Sequence, residues 1–304
     1  MIETEYRPFD NLEKLAEYAD QEIAEGKRYL NFFLSAELST SSIREGSLAD
    51  VSDKAEGWRA PTVPDNLIIN HGVYSRGGIQ HIIDELKGKP SSNRALYSLI
   101  NQKDIVGSGD KPIPSFMIFQ CAIDSDAFYC TVYFRALEIT NFFRINLEEI
   151  RLNICDILKN LPVSPPIVRL TVLAFSAYSK PDQIPLEKCE LDMMSTMDIS
   201  DIYDDEPLKI PELLERKAKE TTVVDIAGLL AIKDWLAPKR KSKWPNKLNV
   251  PSITAAVDSA ISIANTLKFL RVSKSHDPHV DKVSKDFVKA VEKIAMEFRN
   301  VINN

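Results

Sequence analysis

The chain has 304 residues, 44% of them hydrophobic and 27% charged, with a net charge of −6 and an estimated pI near 5.4. This composition fits one large globular domain or a domain with an appendage, and the acidic balance gives no overall attraction for nucleic acid. The N-terminus has no basic stretch leading into an apolar one, and no apolar run approaches the ~20 residues of a membrane span, so we expect a cytoplasmic protein with no membrane partner.

Residues 11–36 carry Leu12, Leu15, Ala19, Ile23 and Ala24 at helical spacing, with Tyr29, Phe32 and Phe33 continuing the apolar face, which predicts one helix or two. The polar, breaker-rich stretch 37–66 reads as loop with one short strand at most. "GIQHIIDELKG", 78–88, predicts an amphipathic helix that Gly88 and Pro90 stop. Three extended candidates follow, "RALYSLI" (94–100), "FMIFQCAI" (116–123) and "FYCTVYFRALEI" (128–139), rich in aromatic and β-branched residues. "INLEEIRLNICDILKNL", 145–161, puts Leu147, Ile150, Ile154, Ile157 and Leu158 on one stripe of a long core helix, and "VRLTVLAFSAY", 168–178, is a further strand. The middle of the chain is therefore α+β, a sheet with a long helix packed on it.

The end has a different character. Acidic "DISDIYDDE" (198–206) leads into helical sequence, and Lys239, Arg240, Lys241, Lys243 and Lys247 surround Trp244 and Pro245 in what reads as a solvated loop, with nucleic-acid contact the less favoured alternative. Ser252 is placed to cap one helix, and Asp277 with Pro278 to open another. In the last helix Val280, Val283, Phe287, Val291, Ile294, Phe298 and Val301 step by three and four, either as a hairpin docked on its own core or as an interface for a partner. The domain division expected is 1–205 for the sheet domain and 206–304 for a mainly helical C-terminal region. The four cysteines are scattered and form no C-x-x-C pair, and His276 and His279 flank a proline, so no metal site is expected.

Read together, 78–178 resembles the thymidylate synthase family. "GIQHIIDELKGKPSSNRALYSLINQKD" looks like that family's "G-x-D-Q-L…I…P-D-S-R-R…S-A-W-N-P-x-D", and "PIPSFMIFQ" like "L-P-P-C-H-x-x-F-Q-F". "FRALEITNFFRIN" resembles "Q-R-S-x-D-x-x-x-G-x-P-F-N", and "FSAYS" the "D-x-H-x-Y" block. The resemblance implies a thymidylate synthase-like sheet-and-helix domain with a C-terminal helical extension. It puts Arg135, and Arg94 of a neighbouring copy, on a 5′-phosphate, Asn146 and Gln120 in the nucleotide site, and Tyr178 with Ser176 at the ribose, Ser176 standing in the histidine position. It also implies a homodimer, and a cysteine nucleophile where this chain has Ser115. The residue after Ser115 is Phe116, not histidine, and Glu138 stands for an aspartate that contacts folate.

A serine hydroxyl is far less ionised than a thiol and needs an activating base, and the sequence displays none. The expectation is a catalytically degenerate, nucleotide-binding or nucleotide-sensing protein with no cofactor, serving a regulatory or defence system. The C-terminal helices would then be the surface offered to a protein partner. One alternative is an active C5-modifying transferase that uses methylene-tetrahydrofolate with Ser115 or a cysteine from elsewhere; another is an oligomerisation scaffold without ligand. Plainer roles stay open for the same residues: a turn serine for Ser115, a surface ion pair for Arg135, an N-cap ahead of "LEEI" for Asn146, and core packing for Tyr178.

Overall fold

A computed structural model describes residues 5–106, 112–181, 186–220, 223–237, 249–273 and 278–303. In chain order the elements are β1 (Arg7–Pro8), α1 (Leu12–Glu22), β2 (Arg28–Ser39), α2 (Thr40–Glu45), a 3-10 turn (Ala49–Val51), α3 (Ser52–Arg59), α4 (Gly72–Ser75), α5 (Gly78–Gly88), β3 (Leu96–Ser98) and α6 (Gln102–Ile105). They continue with β4 (Phe116–Asp124), β5 (Ala127–Phe134), β6 (Leu137–Glu138), α7 (Phe142–Asn160), β7 (Ile167–Tyr178), α8 (Glu190–Met193), α9 (Thr196–Asp205), α10 (Lys209–Ala218), α11 (Ala227–Trp235), α12 (Val250–Ser273) and α13 (His279–Asn303). None of these helices is long and apolar enough to cross a membrane.

The chain divides into two compact units, Met1–Pro64 with Ile69–Asp104 and Ile113–Pro185, and Asp65–Ile68 with Ile105–Pro112 and Leu186–Asn304. The division after Pro185 differs from the one after 205 expected from the sequence, because the acidic 198–206 stretch forms most of α9, whose Ile199 and Tyr203 are core residues of the second unit.

The first unit is α+β. Its mixed sheet runs β1-β2-β7-β5-β4-β3, with β6 added beside β7. The β2–β7, β4–β5 and β3–β4 pairs are antiparallel, while β1–β2, β5–β7 and β6–β7 are parallel. Alternate residues of the central strands, such as Leu34, Leu38, Phe119, Cys130, Val132 and Val172, enter one core with α1, α5 and α7. The opposite face keeps apolar side chains at the surface, with Phe33 51%, Phe175 49% and Ile118 37% exposed.

Three sequence expectations are corrected here. Residues 28–39, expected to continue a helix, form the strand β2, paired along its length with β7. Leu30 and Phe33 are exposed while Leu34, Ala36 and Leu38 are buried, so apolar residues fall on both faces and hide the period of two. The segment 37–66, expected as loop, contains α2, the 3-10 turn and α3, the last anchored by buried Trp58 and by Arg59, which bonds Asn153 and Asp156 of α7. The expected strand 128–139 breaks after Phe134 and resumes for two residues as β6.

The second unit is helical. Phe287, Val291, Ile294 and Phe298 of α13 are fully buried among Tyr203, Trp235 and the apolar face of α12, so this seam belongs to the unit's own core and is not a free partner surface. α12 starts at Val250, and Asn249 Oδ1 accepts from the Ser252 N–H, while Ser252 itself donates to Glu297. Ser252 is thus no cap. The basic run 239–247 and the expected cap Asp277 lie outside the described residues.

Candidate functional site

The strand directions decide which side chains meet. β4 begins where its antiparallel neighbour β5 ends, since Phe116 pairs with Phe134, and Phe134 pairs in turn with Ala174 of parallel β7. Ser115, Arg135, Ser176 and Tyr178 therefore gather at one end of the sheet. Glu138 pairs with Tyr178 there, and Asn146 follows on the first turns of α7.

Each residue has a definite setting. The Ser115 carbonyl accepts the Arg135 N–H at 2.9 Å. The Arg135 guanidinium donates to the carbonyls of Pro114 (3.2 Å) and Ile113 (3.0 Å), pinning the turn that carries Ser115. Ser176 is buried, and its hydroxyl accepts from Arg28 Nε at 2.7 Å. Arg28, the first residue of β2 and the register partner of Tyr178, brings to this end a guanidinium that sequence reasoning missed because β2 was read as helix.

Asn146 is 8% exposed, inside α7 and not at its start; the N-cap position is Asn141, so the capping role is excluded. Its amide makes no hydrogen bond among the described residues. Glu138 is buried, with Oε1 accepting the N–H groups of Thr140 and Lys180 and Oε2 those of Asn141 and Phe142, at 2.7–3.0 Å. It caps α7, and with four N–H groups on its two oxygens it does not fit a folate-contacting role; no step through methylene-tetrahydrofolate is derived.

Two expected residues stand apart. Gln120 donates to the Asn93 carbonyl at 3.1 Å on the strand's outward side. Arg94 precedes β3, whose Leu96 pairs with Gln120, which sets Arg94 level with Ala122, about 20–25 Å along the strand from Ser115. Within one copy it does not join the others. Cys121 faces Cys130 across β4 and β5 in the core, and burial pushes its thiol well up, so it is no substitute nucleophile. All four cysteines are free.

A polar cluster with no counterpart in the sequence expectations lies in the same unit. His71 and Glu149 are both buried, with Nδ1 and Oε2 2.7 Å apart. The His71 ring stands 4.6 Å from that of Trp58 and meets Phe116 edge-on at 5.6 Å, while Trp58 meets Phe142 at 6.4 Å. Gly72 permits this approach, because a Cβ there would lie 2.0–2.2 Å from the carbonyl oxygens of Ala60 and Arg59. The Trp58 Nε1–H has no partner, the only such buried side-chain polar atom among the described residues. Burial first, and then the charge of Glu149, hold the Tyr97 phenol well above its ordinary range. Tyr97 also forms part of the wall of a cleft of about 380 Å³ between α5 and β3. The signal in the sequence was the charge pattern of α7: Asn146, Glu149 and Asn153 share a second buried stripe that must find partners inside the fold.

In the second unit, Cys189, Asp192 and Glu220 offer ligand atoms within 4.8 Å of one another. The place of a cation is taken: fully buried Lys217 donates to Asp192 and, at 2.7 Å, to Glu220, while Asp192 Oδ1 accepts the Gly228 N–H at 2.9 Å. One ammonium faces two carboxylates, and burial raises the Glu220 carboxyl to about 7 against the pull of Lys217.

Compared with known proteins, the chain matches no family model and no curated protein sequence.

Proposed function

We propose that the first unit is a thymidylate synthase-like module that holds a pyrimidine nucleotide without thiol-dependent transfer. The observation that carries this reading is the gathering of Ser115, Arg135, Ser176, Tyr178 and Asn146 at one end of the sheet, with Arg28 added to them. Guanidinium groups suit a phosphate because their N–H forks give charge-assisted pairs, and a buried amide without a protein partner suits the edge of a base. The reacting half is missing: the nucleophile position is a serine and the nearest buried thiol is suppressed by burial. In calorimetric titrations with dUMP, dTMP and their triphosphates, the wild-type chain is expected to bind at least one. Arg28→Ala should weaken that binding about tenfold or more, the usual loss when a charged hydrogen-bond donor is removed. Absence of binding to every member would overturn the reading.

Two copies are proposed to pair through the outward sheet face. Phe33, Phe175 and Ile118, with half-buried Leu173 and Tyr133, make it an apolar surface of the kind that marks an interface. Such pairing would let Arg94 serve the neighbouring site. Sedimentation should give a dimer for the wild type and a folded monomer for Phe33→Glu with Phe175→Glu, since a charge on each strand confronts its like across the two-fold axis; a wild-type monomer at micromolar concentration would count against it.

A further inference from the structure

We infer that Cys121 and Cys130 form an oxidative modification site, at which hydrogen peroxide joins the two thiols reversibly in a disulfide across β4 and β5. The inference is independent of the nucleotide reading.

The ladder geometry carries it. Cys121 and Cys130 are register partners in the antiparallel β4–β5 pair, so their side chains leave the same face of the sheet, and both are 1% exposed in the core. Opposite residues in such a ladder alternate between pairs that exchange two backbone hydrogen bonds and pairs that exchange none. The Cys121 N–H donates at 2.9 Å to the carbonyl of Ala95, just before β3, and β3 flanks β4 on the side away from β5. Two residues on, the Ile123 N–H likewise turns away from β5, to the Pro90 carbonyl at 2.8 Å. Cys121 and Cys130 are therefore a pair that exchanges no backbone bonds, the kind whose Cα atoms stand only about 4.5 Å apart and whose side chains are closest. A disulfide spans roughly 4.4–6.8 Å between Cα atoms, so the bridge fits at the short end of its range. The thiols already meet, since the hydrogen bond with Cys130 is, after burial, the next cause that raises Cys121.

The reaction balances with peroxide alone. The first thiolate attacks one peroxide oxygen; an S–O bond forms, the O–O bond breaks, and the departing hydroxide takes up a proton as water. The second thiolate attacks the resulting sulfenic sulfur, forming the S–S bond and expelling the oxygen as a second water. Two thiols together lose two protons and two electrons, and one peroxide is reduced to two waters. Only a thiolate attacks, and burial holds Cys121 up, so oxidation is slow and follows opening of the three-residue edge strand β3. A bridge of such short span is the readily reduced kind, which reduced glutathione opens again.

To test this, the native wild-type chain is incubated with hydrogen peroxide for hours, then unfolded and alkylated. It is cut at Asp124 and Asp126, because no Lys or Arg separates the two cysteines. Mass analysis should find the peptides holding Cys121 and Cys130 joined, two hydrogens lighter than their sum, and parted after treatment of the oxidised native chain with millimolar reduced glutathione. Cys130→Val should lack the joined product. Cys155→Ala with Cys189→Ala, which leaves only this pair, should fall from two alkylated thiols to none and recover both with glutathione. The site is overturned if both cysteines remain alkylated after peroxide, if either is found singly as a sulfinic acid, or if Cys121 or Cys130 joins Cys155 or Cys189 instead. A bond that forms only in the unfolded chain, or one that glutathione leaves intact, overturns it equally.

Discussion

Replacing Lys217 with methionine is expected to destabilise the second unit by about 3–5 kcal/mol near pH 8, the range found when one partner of a buried charge pair is removed. Lys217 is fully buried, and its ammonium is the cation between Asp192 and Glu220. Methionine fills much of the volume but leaves both carboxylates without it, and Asp192 is fixed in place by the Gly228 N–H. Chemical denaturation followed through Trp235, which lies in the same helical core, measures the loss. A change below about 1 kcal/mol would mean that water reaches the cluster and compensates the carboxylates.

The same cluster gives the unit a pH dependence of definite sign. The Glu220 carboxyl is raised from 4.5 to about 7, first by burial and then by the nearby carboxylates of Asp192 and Asp225, against the attraction of Lys217. A raised carboxyl binds its proton more tightly in the folded state than in the unfolded one. Its stabilising contribution is therefore complete below about pH 4.5 and is lost as pH rises through about 7. The window corresponds to on the order of 1–3 kcal/mol. The Lys217→Met penalty should accordingly be smaller near pH 5, where Glu220 is protonated and one charge instead of two is left behind.

How far the sequence foretold this molecule depends on whether burial was one-sided. Strands β4, β5 and β7 and helices α5 and α7 fall where the pattern put them, because their apolar residues keep a clear period or a continuous apolar run. β2 escaped because apolar Phe33 lies on the outward face opposite Leu34, Ala36 and Leu38, and Leu30, in phase with those three, is exposed near the strand's start. α3 escaped because only Ala55 and Trp58 of its eight residues are buried, too few to show a stripe. For the site, motif order placed Ser115, Arg135, Ser176 and Tyr178 at one sheet end through strand direction. No local pattern could give the His71–Glu149 pair, whose members are 78 residues apart and meet only through the packing of Trp58 and Phe142. Glu138 shows the converse: a residue to which the resemblance assigned a ligand contact, with its carboxylate here taken up by backbone capping.

That capping gives Glu138 a large expected effect on the stability of the first unit. Its two oxygens take four backbone N–H groups, three at the start of α7 and one from Lys180 just past β7. The first N–H groups of a helix have no intrahelical acceptor, and the positive end of the helix dipole favours a carboxylate there. Glu138→Ala leaves these donors unpaired in a site where Glu138 itself is 3% exposed, and should destabilise the unit by about 3–5 kcal/mol, more than an ordinary cap because the lost bonds are charge-assisted and buried. Glu138→Gln keeps one carbonyl acceptor and turns an N–H₂ group toward N–H donors, so it should recover less than half of the loss, whereas Glu138→Asp, too short to span both α7 and Lys180, should fall between. Thermal denaturation of the three variants orders them. On the nucleotide reading proposed above, the consequence is separable from stability, since the start of α7 carries Asn146: at a temperature where Glu138→Asp remains folded, it should bind dUMP more weakly than the wild type. Equal affinity in the two would show that α7 holds Asn146 in place through its buried stripe alone.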